Sequence, residues 1–196
     1  MKIVIASNNQ GKLREIRSVL QSDDYELVSQ DEFAVTEIAE TGLTFVENAI
    51  LKARHAAQQT GYPALADDSG LCVAALNGKP GIYSARYADE KASDQENITK
   101  LLTELGSTPQ RSATFHCVIV LLAHASDPVP LICQGHWSGE ILFSPRGNNG
   151  FGYDPIFYLP QLQCSVAELD SKMKNQLSHR AQALKQLQAS GVWTRL

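Results

Sequence analysis

The sequence predicts an α/β protein in which a mixed β-sheet is flanked by helices. Three observations support this fold class: a β-α-β pattern at the start, two long apolar runs in the second half, and capping boxes that mark helices between the strands. A length of 196 residues is enough to bury a sizeable core. We therefore expect a single domain over residues 1–196, either one large body or a body with a second lobe.

The β-α-β pattern occupies the first thirty residues. Residues 3–6 are continuously apolar, as in a strand buried on both faces, and residues 25–29 predict a second strand. Such a connection implies that the two strands pair in parallel. Between them, apolar side chains recur at helical spacing, at Leu13, Ile16, Val19 and Leu20.

Capping boxes locate two of the remaining helices. Residues 44–47 and residues 93–96 both follow the pattern in which a hydroxyl side chain is followed three residues later by glutamate. Gly61 and Pro63 are expected to stop the helix that the first box begins. Helices are thus predicted over residues 48–59, from residue 93 to about Leu105, and over residues 166–189 with a break near Ser178.

The two long apolar runs cover residues 113–123 and 129–137. Both are rich in β-branched and aromatic side chains, so we expect central antiparallel strands in one hairpin joined through Ser126-Asp127-Pro128. Other segments are shorter. Strands are predicted over residues 71–76 and 156–159, a loop that excludes helix over residues 78–81, and a flexible loop over residues 147–152.

The composition excludes several classes of protein. A net charge of -4 argues against a protein whose main task is to grip nucleic acid, because that needs a clustered basic face. No apolar stretch approaches the length of a membrane span, and the first residues predict a strand, not a signal peptide. We therefore expect a cytoplasmic protein that binds neither membranes nor nucleic acid.

The four cysteines show no Cys-x-x-Cys spacing, so neither a zinc site nor a redox pair is indicated. We expect them to be reduced and mostly buried. His116 stands beside Cys117, but its place inside an apolar run favours a core histidine over a metal ligand.

The adjacent carboxylates of Asp67 and Asp68 are the strongest chemical signal. They stand where the apolar run of residues 62–66 is expected to end and the turn pair Ser69-Gly70 to begin. Such a pair indicates a bound divalent cation, the alternative being an acidic turn in which Asp68 bonds its own backbone. Because strand neighbours point to opposite faces, a second metal ligand should come from elsewhere. Glu40, in a loop before the second helix, is the candidate, unless it is a solvated loop residue.

A polar segment between the first strand and the first helix is a candidate phosphate cradle. Backbone N–H groups at a helix start, a glycine for close approach and a lysine suit phosphate oxygens. Leu13 replaces the hydroxyl of a Walker A loop, whose leading glycine is also missing. A polar turn that merely caps the helix is the alternative. The segment consists of Ser7, Asn8, Asn9, Gln10, Gly11 and Lys12.

Two further segments could contact a ligand. In Phe151-Gly152-Tyr153-Asp154-Pro155 an aromatic face stands beside a carboxylate that Pro155 is expected to hold extended, which suits a planar heterocycle. The alternative is a tight turn with a core phenylalanine. Lys174 and the segment Ser178-His179-Arg180 offer donors for carbonyl or phosphate oxygens, unless they belong to a surface helix.

The order of these motifs resembles that of the inosine triphosphate pyrophosphatase family, whose bacterial branch is called HAM1-like. The resemblance spans nearly the whole chain. Its blocks are Ser7 to Lys12, Glu40-Thr41-Gly42, Glu47-Asn48-Ala49 with Lys52-Ala53, Ala66 to Leu71, Pro80 to Tyr87, Gly150 to Phe157, and Ser178-His179-Arg180.

The resemblance implies a homodimer with an elongated mixed sheet and a cleft between two lobes. It also implies Mg²⁺-dependent hydrolysis of ITP, dITP and XTP to the monophosphate and pyrophosphate. Glu40 and Asp68 would bind Mg²⁺, and Asp68 would also be the catalytic proton acceptor. Ser7 to Lys12 would hold the phosphates of the substrate, and Ser69 would also contact the substrate. The nucleoside would be surrounded by Phe151, Gly152, Tyr153, Asp154, Lys174, His179 and Arg180.

A triphosphate brings about four negative charges, so an acidic protein needs Mg²⁺ and cations such as Lys12, Lys52 and Arg86 to bind it. We expect Asp68 to orient a water for in-line attack on the α-phosphorus. His179 or Arg180 would donate to the carbonyl of the base, and what excludes guanine stays open. The alternatives are a Maf-like pyrophosphatase with other base specificity, a non-catalytic nucleotide-binding regulator, and an RNA-binding module, which would need a basic surface.

Overall fold

A single mixed β-sheet runs through the computed structural model, which describes residues 1–195. Within these residues the sheet has seven strands in the order β2-β1-β3-β4-β5-β6-β7. Strand β1 pairs in parallel with β2 and β3, whereas β5, β6 and β7 pair antiparallel in turn. The strands are β1 (Lys2–Ile5), β2 (Glu26–Ser29), β3 (Ala64–Val73), β4 (Ser112–Leu122), β5 (Leu131–Ile141), β6 (Phe157–Leu159) and β7 (Cys164–Ser165).

Two of the helices begin at the capping boxes that the sequence predicts. Thr44 caps the second helix, where its hydroxyl accepts from Glu47 N, and Ser93 forms a complete capping box with Glu96. The second helix ends at Gly61, which takes the left-handed conformation that glycine adopts readily. The helices are α1 (Gln10–Val19), α2 (Phe45–Thr60), α3 (Asp94–Leu105), α4 (Ser171–Leu177) and α5 (His179–Ala189).

Several predicted boundaries are wrong. Strand β3 continues through Asp67-Asp68 and Ser69-Gly70, so the acidic pair does not lie at a strand tip. The strand predicted over residues 71–76 is the end of β3 followed by a short 3₁₀ helix, Ala74–Leu76. Gly81, predicted to lie in a non-helical loop, begins the 3₁₀ helix Gly81–Arg86. The break at Ser178 is confirmed, since this residue caps the end of α4.

The chain divides into two compact units. The first comprises residues 1–68, residues 117–135 and the C-terminal segment from Arg180, and the second comprises residues 69–116 and 136–179. The single domain predicted over residues 1–196 stays a prediction. No helix within residues 1–195 has both the length and the apolar character that crossing a membrane requires.

The core of the first unit has an apolar layer on each face of its strands. On one face Leu65 packs in a cluster with Ile16 of α1 and Leu184 of α5. On the other face Ala64 and Ala66 pack with a row of small side chains of α2, namely Ala49, Ala53, Ala56 and Ala57. Because residues alternate along a strand, Asp67 continues the α1 and α5 face and Asp68 the α2 face.

The core of the second unit is built around α3 and the aromatic side chains of the sheet. Ile98 and Leu101 of α3 pack in a cluster with Leu71, Phe115 and Phe157. The four cysteines are all free, and of these Cys117 and Cys133 are buried whereas Cys72 and Cys164 are half-buried. The expectation that the cysteines are mostly buried therefore holds for two of the four, and their reduced state stays a prediction.

Candidate functional site

The segment from Ser7 to Lys12 is a capped helix start. Asn9 Oδ1 accepts from Lys12 N at 3.0 Å, and Ser7 Oγ accepts from Asn9 N at 3.2 Å. Asn8 Oδ1 accepts from Gln30 Nε2 at 2.5 Å. Two side chains are therefore used to shape the turn, as the capping alternative predicts. The first N–H groups of an α-helix have no partner within the helix, so the same turn can also bind phosphate.

Asp67 is the centre of a buried charge network. Lys12 Nζ lies 2.5 Å from its Oδ1, Arg180 Nε lies 2.8 Å from its Oδ2, and Cys117 Sγ donates to Oδ2 at 3.0 Å. Burial alone would raise the pKa of Asp67, but the charges of Arg180 and Lys12 outweigh it and hold the pKa well below its usual range. Arg180 also pairs with Glu15. Asp67 is therefore an anionic anchor for Lys12 and Arg180.

Asp68 faces a different partner on the opposite side of β3. Lys52 Nζ lies 2.5 Å from Asp68 Oδ1 and 2.8 Å from Glu40 Oε1, so one ammonium joins the two carboxylates. Burial raises the pKa of Asp68, with Lys52 opposing it. Burial would lower the pKa of Lys52, but Asp68 and Glu40 outweigh it and raise the pKa. The structure thus brings Glu40, Lys52 and Asp68 together, and we call them the carboxylate-lysine cluster.

This cluster fits a hard divalent cation. Among the described residues no three His, Cys, Asp or Glu side chains gather in a way that could hold a metal ion. Mg²⁺ is commonly held by one or two carboxylates together with substrate phosphates. Asp68 Oδ2 is buried and has no hydrogen-bond partner within residues 1–195, which leaves a carboxylate oxygen for another group. Glu40 and Asp68 are therefore the residues that could bind the metal.

The aromatic segment lies in the second unit and is held by buried charges. Asp154 Oδ2 accepts from Phe151 N at 2.9 Å and lies 2.5 Å from Lys174 Nζ, which stands 4.4 Å from the centre of the Phe151 ring. The predicted extended conformation of Asp154 is wrong, because this residue begins the 3₁₀ helix Asp154–Ile156. Gly152 N donates to Asp94 Oδ2 at 2.6 Å. An aromatic face beside fixed charged groups is thus present.

The other side chains predicted around a nucleoside are all buried, but each of them makes different contacts. The Tyr153 ring lies in the core and its hydroxyl donates to Ser84 O at 2.8 Å, so this side chain holds the loop. His179 is buried and stacks on Phe115, with ring centres 4.8 Å apart and planes 8° apart. Arg180 is buried against Asp67 and Glu15. The alternative of a surface helix with stray basic residues is therefore wrong for His179 and Arg180.

The predicted site residues fall into both units. The first contains Ser7 to Lys12, Glu40, Lys52, Asp68 and Arg180, and the second contains Ser69, Phe151 to Asp154, Lys174 and His179. Glu15 and Cys117, which no motif indicated as site residues, complete the Asp67 network. These contacts join residues 165 and 50 positions apart, so no local pattern indicates them.

Gly150 and Gly152 offer a test of this loop. Both have positive φ, but a Cβ at Gly150 would overlap Asp154 Oδ2, whereas one at Gly152 meets nothing within 4 Å. Gly152→Ala should lose only the strain of a left-handed residue, about 1 to 2 kcal/mol of unfolding free energy. Gly150→Ala should also break the buried Asp154–Lys174 pair, a further loss of about 3 to 5 kcal/mol. Urea denaturation of both variants checks this, and equal losses would contradict the arrangement of the loop.

Comparisons with known proteins identify the family. The family model described as Ham1 family matches residues 3–190. A protein of Vibrio vulnificus named dITP/XTP pyrophosphatase is 59% identical over 191 residues, which is 96% of each chain. The solved HAM1 protein of Coxiella burnetii is 56% identical, with a TM-score of 0.91 over the whole of both chains. That of Staphylococcus aureus is 48% identical, with a TM-score of 0.87 over 96% of this chain and 97% of the other. With sequence and fold this similar from end to end, the chain belongs to the Ham1 family.

Proposed function

We propose that this chain hydrolyses noncanonical purine nucleoside triphosphates, dITP, XTP and ITP, to the monophosphate and pyrophosphate. The supporting observation is the carboxylate-lysine cluster, in which Glu40 and Asp68 share one ammonium and a buried Asp68 oxygen has no partner among the described residues. Its relatives at 59% identity bear the name dITP/XTP pyrophosphatase. Two carboxylates with an adjacent cation suit phosphoryl chemistry, where catalysis is mostly positioning and charge stabilisation.

Glu40 and Asp68 would hold Mg²⁺ in this proposal. The ion, when bound, would offset the charge that develops on the pyrophosphate leaving group. Lys52 Nζ, which lies 2.5 Å from Asp68 Oδ1 and 2.8 Å from Glu40 Oε1, would offer its positive charge to a phosphate oxygen beside these carboxylates. Lys12 lies at the start of α1, 2.5 Å from Asp67, and supplies a second fixed positive charge beside the phosphate-binding turn.

Asp68 is the proposed proton acceptor. Asp68 Oδ2 is buried and has no hydrogen-bond partner among the described residues, so this oxygen can accept a proton from a water. From this position it would orient a water for in-line attack on the α-phosphorus and take its proton. Ser69 follows Asp68 in β3 and is the proposed substrate contact there.

The base would be recognised by the second unit. Phe151 offers a ring for stacking, and Gly152, Asp154 and Lys174 surround it with donors and acceptors. His179, stacked on Phe115, would donate to the carbonyl at position 6. Tyr153 would act through its backbone, because its side chain is buried. Arg180 would act through Asp67, to which it is bound.

A substrate panel tests the proposal. Pyrophosphate release is measured with Mg²⁺ for ITP, dITP and XTP against ATP and GTP, and the first three should have much the higher kcat/KM. A preference for other bases would favour a Maf-like pyrophosphatase. Nucleotide binding without release would favour a regulator. The same preparation should release no pyrophosphate when no metal is added and a chelator is present.

The proposal also includes a homodimer that acts in the cytoplasm. The mass of one chain is 21.4 kDa, and analytical ultracentrifugation should give a species of twice that mass. A monomer at micromolar concentration would contradict the dimer and leave the hydrolysis proposal unaffected.

A further inference from the structure

The loop that contains Glu40 rests directly on α2. Gly42 N donates to Asn48 Oδ1 at 2.8 Å. A Cβ at Gly42 would lie 2.5 Å from Glu47 Cβ and 2.7 Å from Asn48 Oδ1. The backbone φ at Gly42 is not left-handed, so glycine is required here by the closeness of the helix and not by conformation.

Asn48 is a buried polar residue whose two ends differ. Its Oδ1 accepts from Gly42 N, whereas its Nδ2 is buried and has no hydrogen-bond partner in the described part of the chain. If the Asn48 carboxamide were flipped, its Nδ2 donor would face the Gly42 N–H donor. The contact with Gly42 therefore fixes the orientation of the Asn48 carboxamide. An unpaired buried amide opposes folding. A residue kept at that expense is a candidate for a functional role.

The position of Asn48 connects it to the carboxylate-lysine cluster. It lies one helical turn before Lys52 on α2, and residues four apart share a helix face. Gly42 is two residues after Glu40, whose Oε1 is 2.8 Å from Lys52 Nζ. One helix therefore holds both the cation of the cluster and the backbone next to its outer carboxylate.

We infer that Asn48 is the positioning residue for Glu40. By seating Gly42 on α2, its carboxamide oxygen sets the distance between the Glu40 carboxylate and Lys52. The inference rests on the proposed function of Glu40. Other bonds keep the loop attached when Asn48 is changed: Leu43 N donates to Glu47 Oε2 at 2.9 Å, and Thr36 N donates to Gln59 Oε1 at 3.0 Å.

A double-mutant cycle with Glu40→Gln tests this role. Asn48→Ala should lower kcat/KM for ITP about 10- to 100-fold, because a displacement of about 1 Å at a catalytic group has effects of that size. In the Glu40→Gln background the same change should lower kcat/KM less than about twofold, since the carboxylate that it positions is gone. Equal losses in both backgrounds, or no loss in either, would overturn the inference.

Asn97 provides the matched control. It is likewise a buried asparagine on a helix that holds a loop, with Oδ1 accepting from Ala88 N at 2.8 Å and Nδ2 donating to Ala85 O at 3.1 Å. Any loss of activity from Asn97→Ala should be the same in the wild-type and the Glu40→Gln backgrounds. Gly42→Ala disrupts the Asn48 contact from the loop side. Like Asn48→Ala, it should lower kcat/KM in the wild-type background but much less in the Glu40→Gln background. It keeps the test decisive if Asn48→Ala folds poorly.

Amide hydrogen exchange gives a readout that does not require turnover. Asn48→Ala should speed exchange at the Gly42 amide at least tenfold, whereas Asn97→Ala should leave it unchanged. Unchanged exchange at Gly42 in Asn48→Ala would overturn the inference. Failure of wild-type protein to release pyrophosphate would instead overturn the proposed function, and an unaffected Glu40→Gln variant would remove the role of Glu40.

Discussion

Asp68→Asn is expected to lower kcat for pyrophosphate release about 10²- to 10⁴-fold, the range attributed to a positioned general base. The amide keeps the shape of the carboxylate but cannot accept the proton of the attacking water. Lys52 still has Glu40 Oε1 at 2.8 Å, so the buried ammonium keeps a counter-charge and the fold should persist. Steady-state kinetics with ITP and a thermal melt of the same sample check both statements.

Asp127→Asn is the control for this substitution. Asp127 is also a buried aspartate of the first unit, but its oxygens accept from Ala123 N and Val129 N in the connection between β4 and β5. This variant should lose stability and keep its kcat. Near-wild-type turnover by Asp68→Asn would show that another group takes the proton.

Asp67→Asn is expected to reduce the free energy of unfolding by about 3 to 5 kcal/mol, the loss typical when one partner of a buried ion pair is removed. Its carboxylate pairs with Lys12 and Arg180, and Arg180, which is 2% exposed, would retain its pair with Glu15 but lose this one. Water cannot replace the lost charge there. Urea denaturation monitored by circular dichroism measures the change.

The exposed pair of Lys2 and Glu26, 3.9 Å apart, is the matched comparison. Glu26→Gln should change the free energy of unfolding by no more than about 1 kcal/mol. A similar change for both variants would mean that the Asp67 network adds little to stability.

The same network predicts a pH dependence of stability. The pKa of Asp67 is lower in the folded protein than in the unfolded chain, because Arg180 and Lys12 outweigh the effect of burial. Its contribution is therefore complete above the unfolded-chain pKa, about 3.9, and is lost as the pH falls through the folded-state value. The stability of Asp67→Asn should vary less over this acid range than that of the wild-type protein.

The helices were the most predictable part of the fold, because their signals are local. Thr44, Ser93 and Gly61 act on backbone groups within a turn of themselves, and each does so in the structure as predicted. The parallel pairing of β1 and β2 was predicted for the same reason, since a short β-α-β connection permits little else.

The path of β3 was not predictable from local pattern. Asp, Ser and Gly are rare inside strands, so residues 67–70 indicated a turn. In the structure Lys12, Arg180 and Lys52 neutralise the two carboxylates, which makes a charged strand interior stable. These partners lie between 16 and 113 positions away along the chain. Tertiary charge pairing has overridden residue preference.

The candidate site shows the same division. The types of residue and their order were sufficient to indicate the family and to name Glu40 and Asp68 together. The roles of Arg180 and Asn48 depend on which groups they meet, and these are known only from the folded chain. The burial of the Tyr153 and Arg180 side chains could not be deduced from a short motif, and their contact with a ligand stays a prediction.

The alternation of Asp67 and Asp68 has a consequence for how β3 finds its place beside β1. The neighbouring residues Ala64, Leu65 and Ala66 are apolar on both faces, so hydrophobicity alone would tolerate a shift of one residue. Such a shift would turn Asp67 towards α2 and away from the buried Arg180, which would keep its pair with Glu15 but lose this one. The observed pairing of Val4 with Ala64 and Ile5 with Leu65 avoids this. The acidic pair thus disfavours a shifted alignment of β3, and the register that it favours is the one that places Asp68 beside Lys52.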